Sequence, residues 1–395
     1  MTLSLWATSA LLPEGARARV RVRFSQGRIA AIETGVDPRA DDVRHENATL
    51  ASGLVDLQVN GGDGAAYDEA DPDARARATQ FHLRSGTTSL LATLVTASLE
   101  HLERALARLR AEVSVEGPVI GIHLEGPFLA EGKRGAHDAA HFCDPTPDRV
   151  ARVIKAAGPA LRMVTLAPER AGALEAIAAF AAAGAVVSAG HSLATLARLR
   201  EAIPLGLSFV THVGNASDWP SRPFDAAAGF RRSEPNVVGA FLVERRLRGS
   251  VILDGHHLHP ELARALVELR GPDAVALVSD ATPAAGLPPG RYRMGGLDAE
   301  LRAEGYATTG ETLAGSVIAL LDAVRAAVRL AGIPLATALG MASATPAAVL
   351  GLGGKKGSLV AGADADLLVI GPALELLAVY SRGVQVGAPA GRSGR

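Results

Sequence analysis

The chain has 395 residues, 48% of them hydrophobic, with a mean hydropathy of +0.19; this is ample apolar material for a full-size core, which excludes a disordered chain and a small stapled scaffold. The length predicts two or three domains, or one large barrel with an appendage. Forty Lys and Arg against 41 Asp and Glu leave a formal charge of −1, and this balance offers no footprint for nucleic acid or an anionic membrane.

The start, MTLSLWATSALLPEGARARV, has no basic segment before its apolar residues. No signal peptide is expected there. The richest apolar tract, AIAAFAAAGAVVSAGHS, is broken by Gly184 and Gly190, and no stretch approaches the roughly 20 apolar residues of a membrane span. A cytoplasmic protein is the default. One cysteine, Cys143, excludes an internal disulfide framework and a thiolate metal cluster.

Residues 1–52 read as short strands. Ala18–Phe24 alternates strictly, and Arg28–Glu33 follows a turn at Gly27. The middle of the chain alternates near-continuous apolar runs with amphipathic helical segments. The runs are Leu54–Asn60, Thr88–Leu94, Val119–Glu125, Met163–Ala167, Ala185–His191, Leu207–His212, Ser250–Asp254 and Ala274–Asp280. Helical segments such as Pro72–Arg84, Leu99–Val113 and Ala171–Ala183 separate them. Strands apolar on both faces belong to a parallel sheet covered on both sides. Eight such units predict an α/β fold, a (β/α)8 TIM-type barrel. A doubly wound sheet is the alternative, but VNGGDGAAYDEA lacks the glycine spacing of a dinucleotide-binding turn. Asp366–Ile370 and Leu377–Val386 again read as strands. The expected organisation is therefore a small β-sandwich built from 1–52 and 354–388, a barrel over 53–353, and a disordered tail at 389–395.

Five of the eight apolar runs end in an ionisable residue: Glu125, His191, His212, Asp254 and Asp280. In a (β/α)8 barrel the C-terminal ends of the strands carry the chemistry. On that scaffold Glu125, His191, His212 and Asp280 converge on one mouth. A Glu with two His is a common set for a catalytic metal that keeps one position open. Zinc suits it first, and iron, manganese or cobalt suit it as well. Asp280 is either a helix-capping turn residue or a general base. His137, His256 and His257 lie in segments that would roof the site, His259 reads as a helix start before Pro260, and His45, His82, His101 and His141 read as surface residues. Gln58 and Asn60 end the first run. Gln and Asn are poor zinc ligands, so one metal per chain is expected.

Taken together, the strings GLVDLQVNGG, GIHLEGPFL, KRGAH, AGHS, THVGNA, ILDGHHLHP, LVSDATPAAG, TLAGS and KGSLVAGADADLLVI resemble the N-acetylglucosamine-6-phosphate deacetylase family of the amidohydrolase superfamily. The resemblance implies that Glu125, His191 and His212 bind the metal and that Asp280 is the acid/base. It implies that Ala136 and His137 hold the N-acetyl group or sugar, that Asn215, Ala216 and His257 contact substrate, and that Leu313, Ala314 and Gly315 line the acetyl side. It also implies an amino sugar substrate and a homodimer in which a phosphate-binding Arg reaches in from the neighbour. The chain departs from the family after THVGNA. Ser217 replaces a usual Met, the following loop is longer, and the usual REPG has become RSEPN. Arg232 is the first candidate for the phosphate contact, with Arg231 and Arg222 behind it. A galactosamine-type or unphosphorylated N-acetyl hexosamine, or another small amide, is the alternative substrate.

Overall fold

The computed structural model describes residues 2–217, 235–294 and 297–387. Eight parallel strands form its centre: β1 Leu54–Val59, β2 Thr87–Val95, β3 Val119–Glu125, β4 Leu161–Leu166, β5 Val186–Ala189, β6 Leu207–Val210, β7 Arg248–Ile252 and β8 Val275–Val278. Each pairs with the next in the order of the chain. The ring closes just past the last strand, where the Asp280 N–H donates to the Gln58 carbonyl at 3.0 Å and the Asn60 N–H to the Ala281 carbonyl at 2.8 Å. All six residues of β1 and all seven of β3 are buried. That is why their sequences are near-continuously apolar rather than alternating.

A helix follows each strand: α1 Pro72–Arg84, α2 Leu99–Glu112, α3 Pro147–Ala157, α4 Ala173–Ala182, α5 Leu196–Ala202, α6 Val237–Val243, α7 Pro260–Arg270 and α8 Leu320–Arg329. Their starts are written in the sequence. Asp71, Ser98, Thr146 and Thr195 each accept a backbone N–H of the first turn, and Pro72 and Pro147 occupy first-turn positions that need no donor. His259 does the same for α7, as expected, by accepting from the Glu261 N–H. Inside the barrel, Val55, Leu57, Leu91, Ile120, Met163, Phe209 and Val278 form a core that Ala347 and Leu350 join from below. The helix Ala344–Val349 thus plugs the N-terminal mouth and leaves the opposite mouth for chemistry.

Both chain ends supply one seven-stranded sheet, ordered Val384–Val386, Leu376–Ser381, Leu367–Ile370, Val43–Ser52, Thr2–Leu12, Gly15–Ser25, Arg28–Glu33. Phe24 and Tyr380 sit four strands apart in that order, which a flat sheet would separate by about 19 Å. Their rings are 6.1 Å apart. The sheet therefore curls over its own apolar cluster, Leu5, Val20, Val22, Leu50, Leu367 and Val369 among its members.

One element was not anticipated. Between β8 and α8 a four-stranded antiparallel sheet runs Gly290–Met294, Leu297–Leu301, Ala307–Thr309 and Thr312–Leu313. It delivers Leu313, Ala314 and Gly315 to the open mouth. The stretch RYRMGGLDAEL, two apolar-polar runs about a Gly pair, was the available signal.

Candidate active site

Glu125 is the last residue of β3, and the metal-ligand candidates His191 and His212 lie just past the ends of β5 and β6. The chain leaves each strand by a sharp reversal: φ is 48° at His191, 26° at His212 and 49° at Asp280. Non-glycine residues avoid this region because the Cβ crowds the following carbonyl. Surrounding bonds hold it here; the Asp280 carbonyl, for instance, accepts the Ser316 N–H at 2.9 Å.

The three candidate ligands meet. Glu125 Oε1 lies 3.0 Å from His212 Nε2 and 3.5 Å from His191 Nε2. One donor atom from each of the three residues falls within 4.8 Å of the others, and all three residues are buried. His191 Nδ1 donates to the Lys133 carbonyl at 2.8 Å and His212 Nδ1 to the Asn215 carbonyl at 3.2 Å. A ring that donates from Nδ1 presents the lone pair of Nε2, which is the form a metal needs. Burial works against the Glu125 carboxylate, but the facing His191 and His212 rings outweigh it and hold its pKa well below the usual range. Burial likewise opposes a charged His212, and the bond to Glu125 overrides it upward; a cation at this point would take the place of that Nε2 proton. A buried anion ringed by imidazoles, with its own orienting carbonyls, fits a divalent cation.

His137 faces the same carboxylate, with Nε2 at 3.7 Å from Glu125 Oε2. Its Nδ1 contacts Thr96 Oγ1 at 2.9 Å and receives the Thr96 backbone N–H at 3.4 Å. A backbone N–H can only donate, so Nδ1 accepts and the ring proton sits on Nε2. Burial, with the His191 ring close by, pushes the His137 pKa down to about 3. The ring is a neutral donor aimed into the site. Gly126 makes this contact possible. It sits at φ 88°, and a Cβ there would begin 2.2 Å from Thr96 Oγ1.

Asp280 caps the opposite side. Its Oδ1 accepts from Gln58 Nε2 at 2.9 Å and Asn60 Nδ2 at 2.7 Å. Burial, followed by the negative charge of Glu125, raises its pKa to about 6. His257 donates from Nδ1 to Asp254 Oδ2 at 2.7 Å, and the Asp254 carboxylate also accepts the backbone N–H groups of His256 and His257 at 2.9 Å. The ionisable end of β7 is thus the holder of a site histidine.

The residues converge on one cleft of about 470 Å³. Its walls include Glu125, His191, His212 and Asp280, together with Ala136, His137, Asn215, Ala216, His257, Leu313, Ala314 and Gly315. Arg222, Arg231 and Arg232 lie outside the described residues. His82 corrects an expectation: it is fully buried, not on the surface. Its Nε2 bonds the Gly61 carbonyl at 2.8 Å and its ring stands against Phe81. The helical spacing that buried Ala74, Ala78 and His82 on one face was the sign of it. Sequence reading also passed over Thr96 and the carbonyls of Lys133 and Asn215, which orient the histidines.

Residues 49–386 match the Amidohydrolase family, and residues 2–46 match the family described as Formimidoylglutamate deiminase HutF, N-terminal domain. The N-acetylglucosamine-6-phosphate deacetylase of Bos taurus is 36% identical over 349 residues, covering 85% of this chain and 82% of its own. The N-acetylgalactosamine-6-phosphate deacetylase of Escherichia coli O157:H7 is 33% identical, covering 97% of this chain and 99% of its own. A mutant N-acetyl-D-glucosamine-6-phosphate deacetylase from Mycobacterium smegmatis, solved in complex with N-acetyl-D-glucosamine-6-phosphate, superposes with a TM-score of 0.89. It is 36% identical, over 98% of this chain and 99% of that one.

Proposed function

The chain belongs to the amidohydrolase family, and from that premise we propose that it hydrolyses the N-acetyl amide of a hexosamine 6-phosphate, N-acetylglucosamine 6-phosphate first, releasing acetate. The observation that carries this reading is the meeting of Glu125, His191 and His212 in a cleft that Asp280 and a neutral His137 also enter. The names of the relatives supply the substrate class.

Glu125, His191 and His212 would hold one divalent cation, zinc in this reading. When bound, such an ion polarises the amide carbonyl and makes water acidic enough to supply a nucleophile near neutral pH. Asp280 takes a proton from the attacking water and returns it to the departing nitrogen, because an amide anion is too basic to leave unaided. A pKa near 6 suits a group that must accept and then release a proton. His137 donates its Nε2 proton to the acetyl oxygen as negative charge grows there. Asn215 Nδ2 is buried and has no partner among the described residues, so it is free to meet a sugar oxygen; His257, past the end of the neighbouring strand β7, lines the same cleft and does likewise. Leu313, Ala314 and Gly315 enclose the methyl of the acetyl group. A side chain at 315 would begin 2.9 Å from the Asp280 carbonyl oxygen, so glycine keeps that wall open.

Arg232 is the proposed phosphate contact, reaching in from the neighbouring subunit of a homodimer, with Arg231 and Arg222 as its alternates. A cytoplasmic setting fits the single cysteine, and among the described residues no helix is long and apolar enough to cross a membrane. The galactosamine epimer is the second reading. It is supported by the relative of that name, 33% identical over 97% of this chain and 99% of its own.

The test is a kinetic comparison of N-acetylglucosamine, N-acetylgalactosamine and their 6-phosphates on metal-loaded protein. The two phosphates are expected to react with a far higher kcat/KM than the free sugars. Arg232→Ala should raise KM for a phosphate and leave a free sugar unchanged, since a bidentate Arg–phosphate contact is the strong kind. Equal rates on free and phosphorylated sugars would overturn the phosphate specificity.

A further inference from the structure

Three polar side chains of the barrel interior form a chain of oriented bonds that ends on Asp280. Thr211 Oγ1 donates to Gln58 Oε1 at 3.1 Å. The other end of the Gln58 amide, Nε2, donates to Asp280 Oδ1 at 2.9 Å; a carboxylate oxygen only accepts, so this bond orients the amide and the Thr211 hydroxyl holds its far end. Asn60 Nδ2 donates to the same oxygen at 2.7 Å. Thr211 and Gln58 are each 1% exposed, so no water competes for these groups. A carboxylate oxygen that accepts two N–H donors has committed its lone-pair directions. The other oxygen, Oδ2, lies on the Gly315 side, 3.5 Å from where a side chain at 315 would begin.

We propose that Thr211, Gln58 and Asn60 are positioning residues that clamp Asp280 by Oδ1 and so reserve Oδ2 as the one oxygen that exchanges a proton with substrate and water. Thr211 is the key to the clamp. Without its hydroxyl, the buried Gln58 Oε1 loses its donor, and the amide loses the bond that holds it in place against Asp280 Oδ1. This inference rests on the role given to Asp280 above.

The test uses the metal-loaded protein, with native and Asp280→Asn kinetics measured first on N-acetylglucosamine 6-phosphate. Thr211→Val keeps the side-chain shape and removes only the hydroxyl. It is expected to lower kcat by about 10-fold or more, the scale of a misaligned catalytic group, with KM and metal content unchanged. Thr211→Ser should restore kcat, and Gln58→Met should reproduce the Thr211→Val loss. In the Asp280→Asn background Thr211→Val should add no further loss, because the two changes act through one group. Native kcat in Thr211→Val overturns the clamp. So does a fall in metal content, which would place the effect on neighbouring His212, or an additive loss in the Asp280→Asn background. If Asp280→Asn itself keeps native kcat, the role of Asp280 fails and the clamp fails with it; a large loss in Asp280→Asn beside a silent Thr211→Val sinks the clamp alone.

Discussion

His137 shows how much of this site is decided by single protons. The Thr96 N–H at Nδ1 leaves the ring proton on Nε2, and burial, which lowers the pKa to about 3, keeps the ring neutral near neutral pH. A neutral donor stabilises growing negative charge without first neutralising Glu125. His137→Ala should therefore lower kcat by about 10²-fold, as losing one preorganised donor to an oxyanion does, while elemental analysis still finds the metal. A variant that loses its metal would make His137 a ligand. The residues that sequence made legible are those whose position is itself a signal: ionisable groups closing apolar strands, Glu125, His191, His212 and Asp280. What it left dark are the partners that aim them. The carbonyls of Lys133 and Asn215 carry no sequence mark, since every residue has one, and Thr96 is an ordinary threonine until the fold brings His137 to it.

Among the elements, the seam between β1 and β8 is where polar groups replace apolar packing. Asp56, wholly buried in β1, accepts the Ser279 N–H at 3.2 Å and the Gln58 N–H at 3.2 Å. Burial raises its pKa to about 7 despite these donors. The folded pKa lies above the unfolded value of about 4, so proton binding favours the fold. That contribution is complete below about pH 4 and is lost as pH rises through about 7. Denaturant titrations should show native protein losing stability between those limits relative to Asp56→Asn, which has no proton to lose. A constant difference across that range would mean that Asp56 is ionised in the folded chain throughout. The barrel strands were legible as near-continuous apolar runs, and helices such as α1 and α2 by the caps that open them. The four-stranded sheet at 290–313 was not, because strands of two to five residues barely alternate before they turn. Its contribution to the cleft, Leu313 to Gly315, came through resemblance rather than pattern.

At the scale of the molecule, the two mouths of the barrel are used differently. The helix Ala344–Val349 plugs one, with Arg162 donating to the Leu350 carbonyl at 2.6 Å beneath it. The chain then passes into the seven-stranded sheet through a buried ionic knot, where Lys356 Nζ lies 2.9 Å from both Asp364 and Asp366. Arg382 of that sheet reaches Asp364 at 3.6 Å and Glu116 of the barrel at 3.6 Å. The strings AGADADLLVI and KGSLV, legible as a block, are the residues of this junction. The other mouth is left open, and there strands far apart in sequence bring Glu125, His191, His212 and Asp280 to one cleft. The measurement that bears most directly on this account is the rate of acetate release from N-acetylglucosamine 6-phosphate by native and Asp280→Asn protein, with metal content determined on the same samples. The account predicts that the variant keeps its metal and its KM while kcat falls by at least about 10²-fold, and that the acidic limb of its kcat/KM profile, set in the native chain by a carboxylate that must be ionised, is lost. A variant with near-native kcat, or a native protein that releases no acetate, would contradict it.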